Sequence, residues 1–186
     1  SYFSVRFVQY GEVNDMKKEV EEKSNIIAMR NDVVELGFKN MNAFSADMFC
    51  LVLKEVKRNF AANKGDNRYE TTFTYGEIKH LLKIDEHITF EMYKKELDAF
   101  RKTLASSQYE FVNERYDILM AVFTKVVNDK KKKELTVKIN PDFYNFFVPL
   151  AKYTNISLDE FVELKSIYSK RLYTFLKQFR FKGVRR

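Results

Sequence analysis

Between residues 75 and 139 the spacing of apolar residues changes period, and this change constrains the fold more than any other feature of the chain. Residues 75–83 (YGEIKHLLK) place Ile78, Leu81 and Leu82 on one side of a short helix. After a connector at 84–88, Thr89 stands as an N-cap before residues 90–105, where Phe90, Tyr93, Leu97, Phe100 and Leu104 recur at i, i+3, i+7, i+10 and i+14. From residue 109 the period is that of strands: 109–112 (YEFV), 116–127 (YDILMAVFTKVV) and 134–139 (ELTVKI), the last with Leu135, Val137 and Ile139 on one side. The link between the last two holds Lys130, Lys131, Lys132 and Lys133. A short helix, a tight connection and a longer helix make a helix-turn-helix, and an antiparallel hairpin with a basic tip makes it winged. The fold class is therefore α+β: a winged helix with additional N- and C-terminal helices.

The flanking segments fit around that unit. Residues 43–60 form a helix capped by Asn42, with Asp47 in its early turns and apolar residues around most of its girth, so it is buried. Cys50 lies inside it and reads as a packed thiol. Residues 61–70 read as a loop, 71–74 and 33–38 as short strands, and 12–24 as the start of a surface helix. Pro141 opens a short helix at 142–148, and Ser157 with Glu160 forms a capping box for another. Residues 1–11 are open between a strand, an edge addition and a disordered leader. Residues 1–24 are thus an extension of unsettled order before a domain over 25–186.

Strand 116–127 is apolar on both faces, with Leu119, Ala121 and Phe123 on one of them. One face of a small antiparallel sheet packs on helices and the other normally meets water. The second apolar face needs a cover, either residues 1–11 or a second molecule, which makes Leu119, Ala121 and Phe123 dimerisation candidates.

Charge is concentrated at one end. The formal net charge is +7, yet residues 164–186 alone carry +8 with no acidic residue. Such a local excess marks a polyanionic partner, nucleic acid or an anionic surface. The helix at 164–181 carries an apolar arc of Leu164, Ile167, Tyr168, Leu172, Phe175, Leu176 and Phe179, expected to pack on the protein. Lys170, Tyr173, Lys177 and Arg180 recur on the opposite side, expected to face DNA together with Lys182. Arg171 falls within the apolar arc and reads as a buried or interfacial partner for a carboxylate.

Several function classes find no support. No apolar run approaches the roughly 18 to 20 residues that span a bilayer, so no membrane partner is expected. Cys50, the single cysteine, cannot close an intrachain disulfide and favours a reducing compartment. His80 and His87 stand seven apart without a cysteine, a poor metal pair. There is no P-loop, dinucleotide fingerprint or nucleophile elbow, and the carboxylates are scattered among lysines. The reading is a non-enzymatic protein without cofactor or metal.

Residues 166–179, Ser-Ile-Tyr-Ser-Lys-Arg-Leu-Tyr-Thr-Phe-Leu-Lys-Gln-Phe, resemble the YSxRLY segment of the Rep_3 (initiator RepB-type) plasmid replication initiators. Leu135 to Pro141, then Phe146 and Leu150, resemble the strand and short helix before that segment; Phe44 to Arg58 resembles an early helix, though without the Glu-Gln pair common there. The resemblance covers residues 25–183 and implies the first of two tandem winged-helix domains, the second being absent from this chain. It further implies a bacterial cytoplasmic protein, a homodimer, plasmid origin repeats in double-stranded DNA as partner, and a host initiator ATPase and replicative helicase as further partners. The second helix of the motif offers Thr89, Glu91, Lys94 and Lys95 at its exposed start, a set suited to phosphates rather than base edges.

The leading expectation is a replication initiator domain that contacts DNA mainly through its backbone and self-associates. Its candidate DNA-binding residues are Thr89, Lys94, Lys95, Lys130, Lys131, Lys132, Lys133, Lys170, Lys177, Arg180 and Lys182. The alternative is a winged-helix dimerisation module, or a transcriptional regulator without a direct role in replication.

Overall fold

The computed structural model describes residues 26–30, 41–85, 87–112, 114–115, 117–147 and 153–179. The expectations for 1–24 and 33–38 lie outside these. The described elements are β1 (Ile26–Arg30), α1 (Ala43–Ala61), a 3-10 turn (Gly65–Tyr69), β2 (Glu70–Thr74), α2 (Tyr75–Leu81), α3 (Phe90–Ala105), β3 (Gln108–Val112), β4 (Asp117–Ala121), β5 (Phe123–Asp129), β6 (Glu134–Ile139), α4 (Pro141–Phe147), β7 (Tyr153–Ser157), α5 (Leu158–Glu163) and α6 (Ile167–Phe179).

Helix α1 is the axle of the domain. The Asn42 side chain accepts from the Ser45 amide at 2.7 Å, satisfying one of the free N–H groups of the first turn. Beyond the cap, Met48, Cys50, Leu51, Val52 and Val56 are fully buried. Phe49 meets Phe123 edge-on at 5.9 Å, and Phe44 meets both Tyr93 and Phe100 of α3 edge-on, so the axle joins the sheet to the helix-turn-helix.

The main sheet is antiparallel with order β2-β6-β5. Its central strand follows the sequence alternation, Leu135, Val137 and Ile139 being fully buried. Thr72 pairs with Thr136 on the other face, their hydroxyls 2.9 Å apart. Two smaller sheets, β1-β7 and β3-β4, hold the other described strands. The β7 strand was not anticipated, because Tyr153 to Ser157 is a five-residue segment without clean alternation next to a strong helix cap.

The structure corrects the expectation of one strand over 116–127. Val122 lies between two strands: β4 pairs with β3, and β5 pairs with β6. Its amide donates to the carbonyl of Ser107 and its carbonyl accepts from the amide of Asn140, so the chain turns from one sheet into the other there. Alternation restarts after Val122, and the register of β5 shifts again between Phe123 and Lys125. Phe123 therefore faces the core against Phe49 and leaves the dimerisation candidates, while Leu119 and Ala121 remain exposed on β4.

The orientation of α6 is the second correction. Lys170 and Thr174 are its buried residues, whereas Tyr168, Leu172, Phe175, Leu176 and Phe179 are exposed. Most of the arc expected inside is outside; Leu164 and Ile167, at its start, stay half-buried, Ile167 against the core. The cause is Asp47, a carboxylate in the buried stretch of α1, which draws the Lys170 ammonium to 2.5 Å. The buried cation is Lys170 and not Arg171, which is half-buried.

Candidate nucleic-acid interface

Helix α2 starts from a capping box. The Thr74 hydroxyl accepts from the Glu77 amide at 3.1 Å, and the Glu77 carboxylate accepts from the Thr74 amide at 2.7 Å. Helix α3 starts at Thr89, whose hydroxyl accepts from the Met92 amide at 3.3 Å. Tyr93, Leu97, Phe100 and Leu104 bury one face of α3. Phe90, expected on that face, is 48% exposed, because the helix start projects past α2 toward the hairpin.

The hairpin tip is closed by Asp129, whose Oδ1 accepts from the amides of Lys131 and Lys132, both at 3.0 Å. Lys133 completes the turn at φ +55°, a left-handed conformation. The tip is fastened to the helix-turn-helix. The Tyr75 amide, first in α2, donates to the Lys133 carbonyl at 2.9 Å, and the Tyr75 hydroxyl donates to Asn128 Oδ1 at 2.5 Å. Burial pushes the Tyr75 hydroxyl above its ordinary pKa, so it stays a donor at neutral pH. The buried Tyr93 hydroxyl, also pushed up by burial, donates to the Tyr75 carbonyl at 3.0 Å. The Lys133 ammonium lies 5.5 Å from the centre of the Phe90 ring, bringing the wing against the start of α3.

One surface therefore gathers Thr89, Phe90 and Lys133, with Lys130, Lys131 and Lys132 exposed at its tip and Lys95 exposed one turn along α3. Lys94 is half-buried beside Lys95. This rigid cationic edge can hold phosphates but offers few groups of the kind that read base edges. Sequence reasoning missed Tyr75 and Asn128 as the residues that fix the wing. The signal for Tyr75 was its position directly after the N-cap of α2, within reach of a strand partner.

The α6 candidates lie elsewhere. Lys170 is fully buried: Nζ donates to Asp47 and, at 2.6 Å, to the Phe161 carbonyl, with the Phe161 ring centre 4.5 Å away. It is a fastening residue and is withdrawn as a DNA contact. Lys177 bridges to Glu160 at 2.8 Å, and Tyr173 donates to the same carboxylate at 2.5 Å while accepting from the Ser157 amide. These side chains face α5 and β7 rather than solvent. Arg180 and Lys182 lie outside the described residues. Among the described residues, no group of three or more His, Cys, Asp or Glu side chains could hold a metal ion, and no helix is long and apolar enough to cross a membrane.

A profile of the initiator replication proteins, describing their WH1 domain, matches residues 26–177. The chain belongs to this family. Residues 26–177 contain all the elements from β1 to most of α6, so the fastened wing, α2 and α3 are parts of a WH1 domain. Among curated relatives, a probable replication protein Rep of Bifidobacterium longum (strain NCC 2705) is 24% identical over 162 residues, which is 87% of this chain and 52% of that protein. The WH1 chain thus spans about half the length of that relative. Among solved structures, the Pi initiator protein in complex with iteron DNA superposes with a TM-score of 0.64 at 14% identity, covering 84% of this chain and 64% of that one. That likeness shows the winged-helix fold.

Proposed function

We propose that this WH1 chain serves plasmid replication initiation by holding duplex DNA through its phosphates and by self-association. The observation carrying the proposal is the fastening of the wing to the start of α3 by Tyr75, Asn128 and the Lys133–Phe90 contact. A pre-organised cationic edge loses little freedom when it meets a phosphate backbone, whose condensed counterions supply the driving force. The DNA-bound state of the Pi structural neighbour supports the same partner. Thr89, Lys95, Lys130, Lys131, Lys132 and Lys133 are the proposed contacts, Lys94 adding charge from a half-buried position. By family resemblance, the complete initiator would recruit a host initiator ATPase and a replicative helicase.

Self-association is proposed through β4, where Leu119 is 65% exposed beside the exposed Ala121. A second reading, a module that dimerises without touching DNA, would rest on this hairpin alone. The deciding experiment titrates a labelled duplex with the chain at increasing salt. Weak, sequence-independent binding that falls steeply with salt is expected. Tight binding to one site with a flat salt response would remove the phosphate-positioning reading, and no binding at low salt would leave the dimerisation module.

A further inference from the structure

We propose that Phe90 and Met92, at the start of α3, contact thymine methyl groups in the major groove and give the chain a preference for thymine-rich duplex. The inference rests on the phosphate-holding reading and names what the start of α3 meets once the wing lysines hold the backbone. Phe90 is 48% exposed and Met92 59% exposed, whereas Tyr93, Leu97, Phe100 and Leu104 of the same helix are buried. Exposed apolar side chains of this size, grouped beside a charged edge, mark a contact surface.

Backbone geometry aims these side chains. The Cα–Cβ bonds of an α-helix tilt toward its N-terminus, so the side chains of the first turn lead the helix end. The Phe90 ring is also held in place: its centre lies 6.4 Å from that of the Tyr75 ring, and the Lys133 ammonium lies 5.5 Å from it. A ring fixed in this way has little freedom left to lose on contact.

The surroundings select the occupant. Lys95 on α3 and Lys130, Lys131 and Lys132 at the wing tip are exposed, and among the described residues no carboxylate pairs with any of them. Apolar groups flanked by uncommitted cations suit a polyanion. Phe90, Glu91 and Met92 themselves include no cation, and the exposed Glu91 carboxylate would repel a phosphate, so this turn suits the groove floor better than the backbone. The second helix of a helix-turn-helix enters the major groove with its first residues toward the base edges. On that floor the apolar group is the thymine methyl; the other edge groups are donors and acceptors, which Phe and Met would desolvate without pairing. Burying one methyl is worth about fourfold in affinity. Over a mixed sequence this bias averages out among registers, which leaves binding free of any one site.

The test titrates the chain with two labelled duplexes of alternating A and T, identical except that one carries uracil for every thymine and so lacks the methyl groups. In fluorescence anisotropy the thymine duplex should bind about fourfold more tightly. Phe90→Ser and Met92→Ser should each narrow that ratio. The double variant should bring it to unity with the salt slope unchanged, since no cation is removed. Thermal melts check folding, and Met92→Ser serves by itself if losing Phe90 disturbs the Tyr75 and Lys133 contacts. Equal affinity for the two duplexes, each falling steeply with salt, would overturn the proposal and leave the phosphate reading standing. Binding to neither duplex at low salt would remove both. A ratio that survives in the double variant would overturn the proposal, as would a wild-type dimer in sedimentation that Met92→Ser dissolves, which would give this face to a second copy.

Discussion

Nζ of Lys170 lies 2.5 Å from Oδ1 of Asp47, joining α6 to α1 across 123 positions of sequence through a lysine with no exposed surface. The lysine is further held by the Phe161 carbonyl and ring. Removing two charges from water is costly, and the return comes from close geometry and the added hydrogen bond. Burial pushes the Asp47 carboxyl up to about 6 even against the pull of Lys170, so desolvation outweighs attraction at this carboxylate. What the pair secures is orientation, since it decides which face of α6 meets the protein.

Lys170→Met should therefore destabilise the chain by about 3–5 kcal/mol, because Asp47 is left buried without its cation. Adding Asp47→Asn should recover part of that loss. Urea unfolding of the single and double variants measures both. A Lys170→Met variant as stable as the wild type, the result expected of a surface lysine, would contradict the burial.

The same pair sets an unusual pH response. Asp47 titrates at about 6 in the folded chain and at about 4 when unfolded, so between those values the folded state binds more protons. Its contribution to stability is fully present below pH 4 and is lost as pH rises through 6, opposite to an ordinary paired carboxylate. The unfolding free energy of the wild type relative to Asp47→Asn should fall between pH 4.5 and pH 7. A rise over that window would mean that the attraction of Lys170 outweighs burial.

Local rules carried much of the fold in advance. Thr89 as cap, α3 over residues 90–105 and β6 over 134–139 follow from capping and period, signals that lie within a few neighbouring residues. The two largest errors have long-range causes. Apolar periodicity on α6 gave its axis but not its roll, because the roll is decided by Asp47 far away in sequence. One hint was available: an acid flanked by apolar residues on a helix apolar on most of its girth needs a buried cation. The break at Val122 was hidden because strand propensity runs straight through it, and only pairing with Ser107 and Asn140 on either side ends the strand. In the candidate interface, the lysines of the wing were legible as a charge run, while the Tyr75–Asn128 contact that fixes them was not.

Replacing Lys130, Lys131 and Lys132 with Ala should weaken duplex binding uniformly across sequences. If each touches one phosphate, the slope of log affinity against log salt becomes shallower by about 2 to 3. Stability should change little, since all three are exposed and the turn is closed by the backbone amides of Lys131 and Lys132 on Asp129. Lys133 is kept because its carbonyl and ammonium fasten the wing. An unchanged salt slope would remove the tip from the interface.

Two neighbouring residues on either side of Val122 should behave in opposite ways. Phe123 is 6% exposed and packs edge-on against Phe49, so Phe123→Ala should cost about 3–5 kcal/mol through lost burial and the cavity left beside α1. Leu119, out on β4 with its side chain largely in solvent, contributes little to the core, and Leu119→Lys should leave the unfolding free energy within about 0.5 kcal/mol. If copies of the chain meet through β4, a lysine there sets like charges across a two-fold contact and should convert the dimer to monomer. Sedimentation of the wild type and Leu119→Lys at micromolar concentration reads that change, with thermal melts of both as the folding check. A wild-type chain that stays monomeric, or a Leu119→Lys variant that dimerises as before, would take self-association away from the β3-β4 hairpin.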